Sequence, residues 1–277
     1  MIFNFAMPCR TPVFILVKIH KNLFFSTINF YFYAMAIVKN GFLRGQVGNL
    51  VNRKVGNQHI VQTKPGRKIK QSKSTKAAAE DFGYSSSMGA LLRQAFVNTH
   101  MQLHDDKMHN RLIQHIRRVM RSTPKPRPGL NTIESGNLNR LIGFQFNRNC
   151  HLHDYMYIDP IPSISNDKQV SVHFPAFQRY QHLYIPKDCY YVTIQVETIG
   201  FTYGSFLPLG TQEIEIYTGQ GQEEVIPEQQ LIFDIPKQRV DIILVGLNII
   251  YSDKMGNRNF VRNTKELHPA AIIGGFV

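Results

Sequence analysis

The chain has 277 residues, 43% of them hydrophobic, so it is long enough to bury a core, is not a disordered chain and has room for one to two domains. All of its formal net charge of +13 lies in residues 1–79, which hold 13 Lys and Arg and no Asp or Glu, whereas residues 80–277 hold 19 of each sign. Cys9, Cys150 and Cys189 are far apart with no CxxC pair, which points to neither a disulfide scaffold nor a zinc ribbon and fits a reducing compartment.

Residues 1–34 are apolar but interrupted by Lys18, His20 and Lys21, and fall short of the about 20 predominantly apolar residues a membrane helix needs. Two readings fit them. Translation starts at Met35 and they are an upstream extension outside the native protein, or they are a signal-like segment cleaved at the small-x-small site Ala34-Met35-Ala36. The first is preferred, and with it a cytoplasmic location; a signal peptide would mean export.

From Met35 the chain alternates short apolar patches with Gly41, Gly45, Gly48 and Gly56, which predicts two short strands or a twisted hairpin over 37–62. Gly45-x-x-Gly48 lacks the Lys-Ser/Thr that a phosphate-cradling loop requires, and reads as turn chemistry. Pro65-Gly66 closes the segment with a turn. Lys39, Arg44, Arg53, Lys54, Lys64, Arg67, Lys68, Lys70 and Lys73 have no acid among them, so they are the candidate polyanion-binding residues.

Ser74-Thr75, with Glu80-Asp81 behind, opens a helical segment over 75–122. Gly83 to Ser87 separates a first helix from a second with its stripe at Leu91, Leu92, Ala95 and Phe96; another follows at Leu112, Ile113, Ile116, Val119 and Met120. Arg111, Arg117, Arg118 and Arg121 read as an exposed flank. Thr123 to Gly129, TPKPRPG, is the clearest linker, so the main domain boundary is expected at 123–130.

MAIVKNGFLRGQVGNLV from Met35, then Val61-Gln62-Thr63-Lys64-Pro65, Ala79 to Ser86 and Leu92-Arg93, resemble the N-terminal part of a family of uncharacterised Bacteroidota proteins with a spaced-glycine, basic N-terminus. The resemblance extends over about residues 35–125. Gln62 stands where that family has Arg, and its frequent Trp is missing. The resemblance supports Met35 as the start and implies no known activity.

Beyond Leu141 the apolar period becomes two. Tyr190–Thr198, Glu213–Tyr217 and Leu231–Ile235 alternate, Val240–Tyr251 is a near-continuous apolar run of the kind found in a central strand, and the final AAIIGGFV adds an edge strand. The expected fold class is mainly β with an α-helical segment. An antiparallel β-sandwich over 131–277, immunoglobulin-like in outline, follows two or three helices and a basic β-hairpin arm over 35–74. From Cys150 on there are 9 basic and 14 acidic residues, so this half opposes the arm in sign.

His151 and His153 are the best metal candidates, because residues two apart on a strand share a face; a third ligand is not identifiable. His100 and His104 lack the Glu of an H-E-x-x-H site and read as exposed helix histidines. Glu213 and Glu215 read as solvated carboxylates on an exposed strand. No nucleophile signature is present, and neither catalytic residues nor a cofactor can be nominated. The expectation is a non-enzymatic structural or interaction protein with an unknown protein partner. The alternative is a non-specific nucleic-acid-binding protein acting through the arm; a membrane partner is not expected, for want of an amphipathic basic helix.

Overall fold

The computed structural model describes residues 36–64, 70–165, 168–202, 204–219, 225–237, 239–255 and 258–277. The expectations for residues 1–34 and for a start at Met35 lie outside them. The protein is mainly β, with antiparallel sheets and few helices. It divides into two compact units, the first ending at Lys70 and the second running Gln71–Val277.

The described part of the first unit is one antiparallel sheet, β1 (Ile37–Lys39), β2 (Phe42–Val47), β3 (Leu50–Val55) and β4 (Gln58–Thr63), ordered as in the chain. Two strands or a hairpin undercounts it. Three two-residue loops, Asn40-Gly41, Gly48-Asn49 and Gly56-Asn57, reverse the chain at equal intervals. Asn40 and Gly41 both have positive φ (53° and 78°), as a type I′ turn requires. Gly48 and Gly56 supply the positive φ (57° and 58°) at the first position of a type II′ turn.

The second unit begins with helix α1 (Lys73–Ala95), whose start is fixed by Ser72 Oγ accepting from the Thr75 N–H at 3.2 Å. The break expected at Gly83 to Ser87 does not occur. Ser85, Met88, Gly89, Leu92 and Ala95 form one buried stripe, and the Ser85 hydroxyl donates to the Phe82 carbonyl, so helical pairing there leaves nothing polar unsatisfied. One turn, α2 (Val97–His100), and α3 (Met108–Met120) follow, the latter on the expected stripe.

The remaining elements in chain order are β5 (Ile161–Ile164), β6 (Gln169–Phe174), β7 (Phe177–Gln178), α4 (Arg179–His182), β8 (Tyr191–Thr202), β9 (Ser205–Tyr217), β10 (Val225–Ile226), β11 (Gln229–Asp234), β12 (Ile242–Met255), β13 (Arg258–Val261) and β14 (Ala270–Phe276). The large sheet runs β13-β12-β8-β9, with β14 also on β12; β11-β6-β5 and β10-β7 form two smaller sheets. β12 is central as expected. β14 is the expected terminal strand, but its outer edge is occupied: the Ile272 N–H donates to the Phe144 carbonyl, and the Gly143 and Phe146 N–H groups donate to the Ile272 and Ala270 carbonyls.

Alternation along β8 and β12 gives the large sheet two buried faces. Val192, Ile194, Val196, Val245, Leu247 and Ile249 meet Val170, Val172 and Phe174 of β6 and Phe233 of β11 in one core. The opposite face presents Ile199, Phe201, Ile242 and Leu244 to Leu92, Phe96, Leu112 and Ile116 of the helices in a second core. The boundary expected at 123–130 is therefore overturned, since the helices and the sheet share a core. The TPKPRPG segment is tied down as well: Gly129 N–H and Asn131 Nδ2 both donate to the Asp81 carboxylate of α1, at 3.1 and 3.2 Å.

Candidate functional site

Two features stand out from ordinary packing. The first is the β1–β4 sheet, in which no described residue is buried although eight large apolar side chains lie on it. Ile37, Val38, Phe42, Leu43, Val47, Leu50, Val55 and Val61 are all exposed, Val38 to 70% and Val61 to 59%. The register sets their sides. Val47 pairs with Leu50, Asn52 with Val61 and Lys54 with His59, so these share one face; Val51, Arg53 and Ile60 lie on the other. Strict alternation would put Phe42 opposite Val47. Its ring instead stacks on His59 at 3.6 Å, on the Val47 side, and the φ of 112° at Gly45 is where the strand departs from alternation.

The candidate cations are spread over this sheet and beyond it. Lys39 lies on β1, the half-buried Arg44 on β2, Arg53 and Lys54 on opposite faces of β3, and Lys64 just after β4, where its N–H donates to the Asn49 carbonyl. Lys73 opens α1, and Lys70 precedes it as the last residue of the first unit. Arg67 and Lys68 lie outside the described residues. The register thus separates Arg53 from Lys54 instead of gathering the charges into one stripe.

The second feature is the far end of the large sheet's helix-covered face. Where the helices end, a polar clamp holds α2 to the sheet. Buried Glu197 accepts from Thr99 Oγ1 at 2.6 Å and Asn98 Nδ2 at 3.1 Å, and His268 Nε2–H donates to the Thr99 carbonyl at 3.0 Å. Beyond it the same face carries Gln195, Thr193 and Ile250, with Glu213, Glu215 and Tyr217 along β9 and Val261 on β13. Both carboxylates, Tyr217 and Val261 are exposed, as expected for Glu213 and Glu215. Glu213 accepts from Gln195 Nε2, and Glu215 has no ion pair among the described residues.

The metal candidates are corrected. His151 and His153 are not on a strand: residues 152–154 form a single 3-10 turn, and both imidazoles are exposed. His153 reaches only Asp159, at 3.7 Å between two exposed groups, and among the described residues no group of three or more His, Cys, Asp or Glu is placed to hold a metal. His100 is also corrected, being buried instead of exposed. Its Nε2–H donates to the Arg93 carbonyl and its Nδ1 accepts from the Gln102 N–H; burial pushes its pKa down. Residues four apart do not share exposure here because Phe96 and Phe146 enclose this end of the helix.

Among the cavities, one of about 740 Å³ is an open groove lined by Tyr180, Tyr190 and Tyr217 with Lys187 and Asp188. Another of about 210 Å³ is apolar, with His153 and Asp159 at its margin. Neither brings a nucleophile to a base. No helix among the described residues is long and apolar enough to cross a membrane. No protein-family model matches the chain, and no curated protein matches it in sequence.

Proposed function

We propose that this protein is a non-enzymatic structural or interaction protein whose β1–β4 sheet is its contact element. One observation carries the reading: the sheet holds eight exposed large apolar residues and buries none of its described residues. A sheet is stabilised by packing one face on another layer, and a lone meander in water has none. Covering those side chains is worth on the order of 1 kcal/mol each at their present exposure, about 8 kcal/mol gross for both faces together and only part of that for one face. Association itself costs about 4–15 kcal/mol, so apolar contact alone gives weak binding, and the unopposed cations are needed to strengthen and orient it. An apolar surface ringed by Lys and Arg suits an acidic protein face.

The finer fold reading belongs with this proposal: β6 and β11 against β8, β9 and β12 form a sandwich, immunoglobulin-like in outline, carrying the helices on its second face. Kinship with the Bacteroidota family that the N-terminal residues resemble is likewise proposed, and adds no activity.

The second reading, non-specific nucleic-acid binding, is favoured by the stacked Phe42–His59 pair on a basic sheet, because exposed rings serve as platforms for unpaired bases. Affinity capture from native extract decides between them, using full-length protein and the L43D/V61D variant, with and without nuclease. A protein captured by the wild type, lost with L43D/V61D and indifferent to nuclease is expected. Capture abolished by nuclease would transfer the function to nucleic acid, and capture indifferent to L43D/V61D would remove the sheet from it.

A further inference from the structure

We infer that the occupant of the β1–β4 sheet is a second copy of this chain, docked by its open acidic half-face on β9, β8 and β12. The inference rests on the sheet being a contact element and names its partner. Charge complementarity between the two surfaces carries it. The segment up to residue 79 holds 13 basic and no acidic residues, while residues 150–277 hold 9 basic and 14 acidic. That opposition has a local counterpart in the register. One face of the arm sheet presents Val47, Leu50 and Val61 beside Lys54 and His59. The half-face beyond the helices presents Tyr217, Ile250 and Val261 beside Glu213 and Glu215.

The two surfaces also match in kind. Each is a pleated, partly apolar sheet face, the arm's charged by Lys54 and the other by Glu213 and Glu215 with the single Lys254 at its far end on β12, and packed sheets interdigitate at a spacing of about 10 Å. Three strands of six residues and one of three span at most roughly 19 by 20 Å, comparable to the open part of the large sheet. A contact of that size lies at the low end of specific interfaces, so association is weak, reversible and sensitive to salt. Because the two patches differ, the contact is heterologous. A pair keeps one free acidic face on the first copy and one free sheet on the second, so further copies add head to tail into a ring or an open chain. A second arm on this arm is disfavoured, since it would bring cations against cations.

The test uses full-length protein in sedimentation velocity at increasing concentration and low salt. The wild type is expected to form oligomers that grow with concentration and dissociate as salt is raised. K54E should place an acid against the acidic face, and E213K/E215K a base against the basic sheet, so each alone should weaken association by at least about tenfold. Mixing the two variants should restore assembly, because each supplies the complement that the other has lost. Circular dichroism of each variant, matching the wild type, separates lost association from lost folding. A wild type that stays monomeric, or variants whose mixture associates no better than either alone, would overturn the second copy as occupant. Capture of a different protein through Leu43 and Val61 would then still stand, so failure here is distinct from failure of the interaction reading.

Discussion

Acidification from pH 6.5 to about 4 should destabilise the second unit through His268. Burial is the main cause that pushes this imidazole from its ordinary 6.5 down to about 4, and the nearby His100 acts in the same direction. The geometry explains why a proton is unwelcome. Nε2–H already donates to the Thr99 carbonyl at 3.0 Å, and Nδ1 accepts from Asn263 Nδ2 at 2.8 Å, so a second N–H would point at another donor. In the unfolded chain the same imidazole titrates normally. Below pH 6.5 the unfolded state therefore binds a proton that the folded state refuses. The stabilisation is complete above that pH and is lost progressively as pH falls towards 4. A shift of this size is worth about 3 kcal/mol, with a slope of up to about 1.4 kcal/mol per pH unit. His100 and His115, both lowered by burial, add in the same direction. Asp105 acts in a different window. Burial alone would raise its carboxyl, but hydrogen bonds from the Arg111 side chain and from the Arg148 and Lys107 N–H groups outweigh that and hold it below 3.8, so its contribution is lost only at lower pH. Urea unfolding followed by circular dichroism at pH 7, 6, 5 and 4.5 measures the slope. His268→Gln keeps a donor for Thr99, should cost about 1–3 kcal/mol at pH 7 and should flatten the dependence. A wild-type stability that is level over this range, or an unchanged slope in His268→Gln, would refute the reasoning.

Three further outcomes follow from the packing and the register. Phe96 lies over Gly246, where a Cβ would come within 2.7 Å of its ring, and fills the space between helices and sheet; Phe96→Ala should cost about 3–5 kcal/mol by urea unfolding, and a fragment starting at Leu130, which strips the helices from Ile199, Phe201 and Leu244, should fail to melt cooperatively. On duplex DNA, the log–log salt slope of full-length protein should be only about −2 to −3, because the register divides Arg53 from Lys54 and one face offers about two or three phosphate contacts; a slope near −5 would show that both faces, or cations outside the sheet, engage together.

The sequence by itself determined the charge polarity, since no folding event moves 13 cations out of a segment without acids, and it determined the type of most elements in the second unit. Period-two alternation at Tyr190–Thr198 and the stripe from Leu112 to Met120 are local signals that a strand and a helix must each obey. Even the four-stranded arm is written in Asn40-Gly41, Gly48-Asn49 and Gly56-Asn57, equally spaced turn dipeptides. What tertiary structure alone decided is which surface meets which. The apolar run Val240–Tyr251 announces a strand buried on both faces, but nothing local says that helices cover Ile242 and Leu244 while β6 and β11 cover Val245 and Leu247. The same holds for TPKPRPG, a linker by composition that Asp81 holds to α1, and for His100, polar by type yet enclosed by Phe96 and Phe146. The pairing of Glu213 and Glu215 with an uncovered half-face likewise depends on where the helices stop. Burial and neighbourhood depend on contacts between residues 99 to 169 positions apart, and a local pattern carries no record of them.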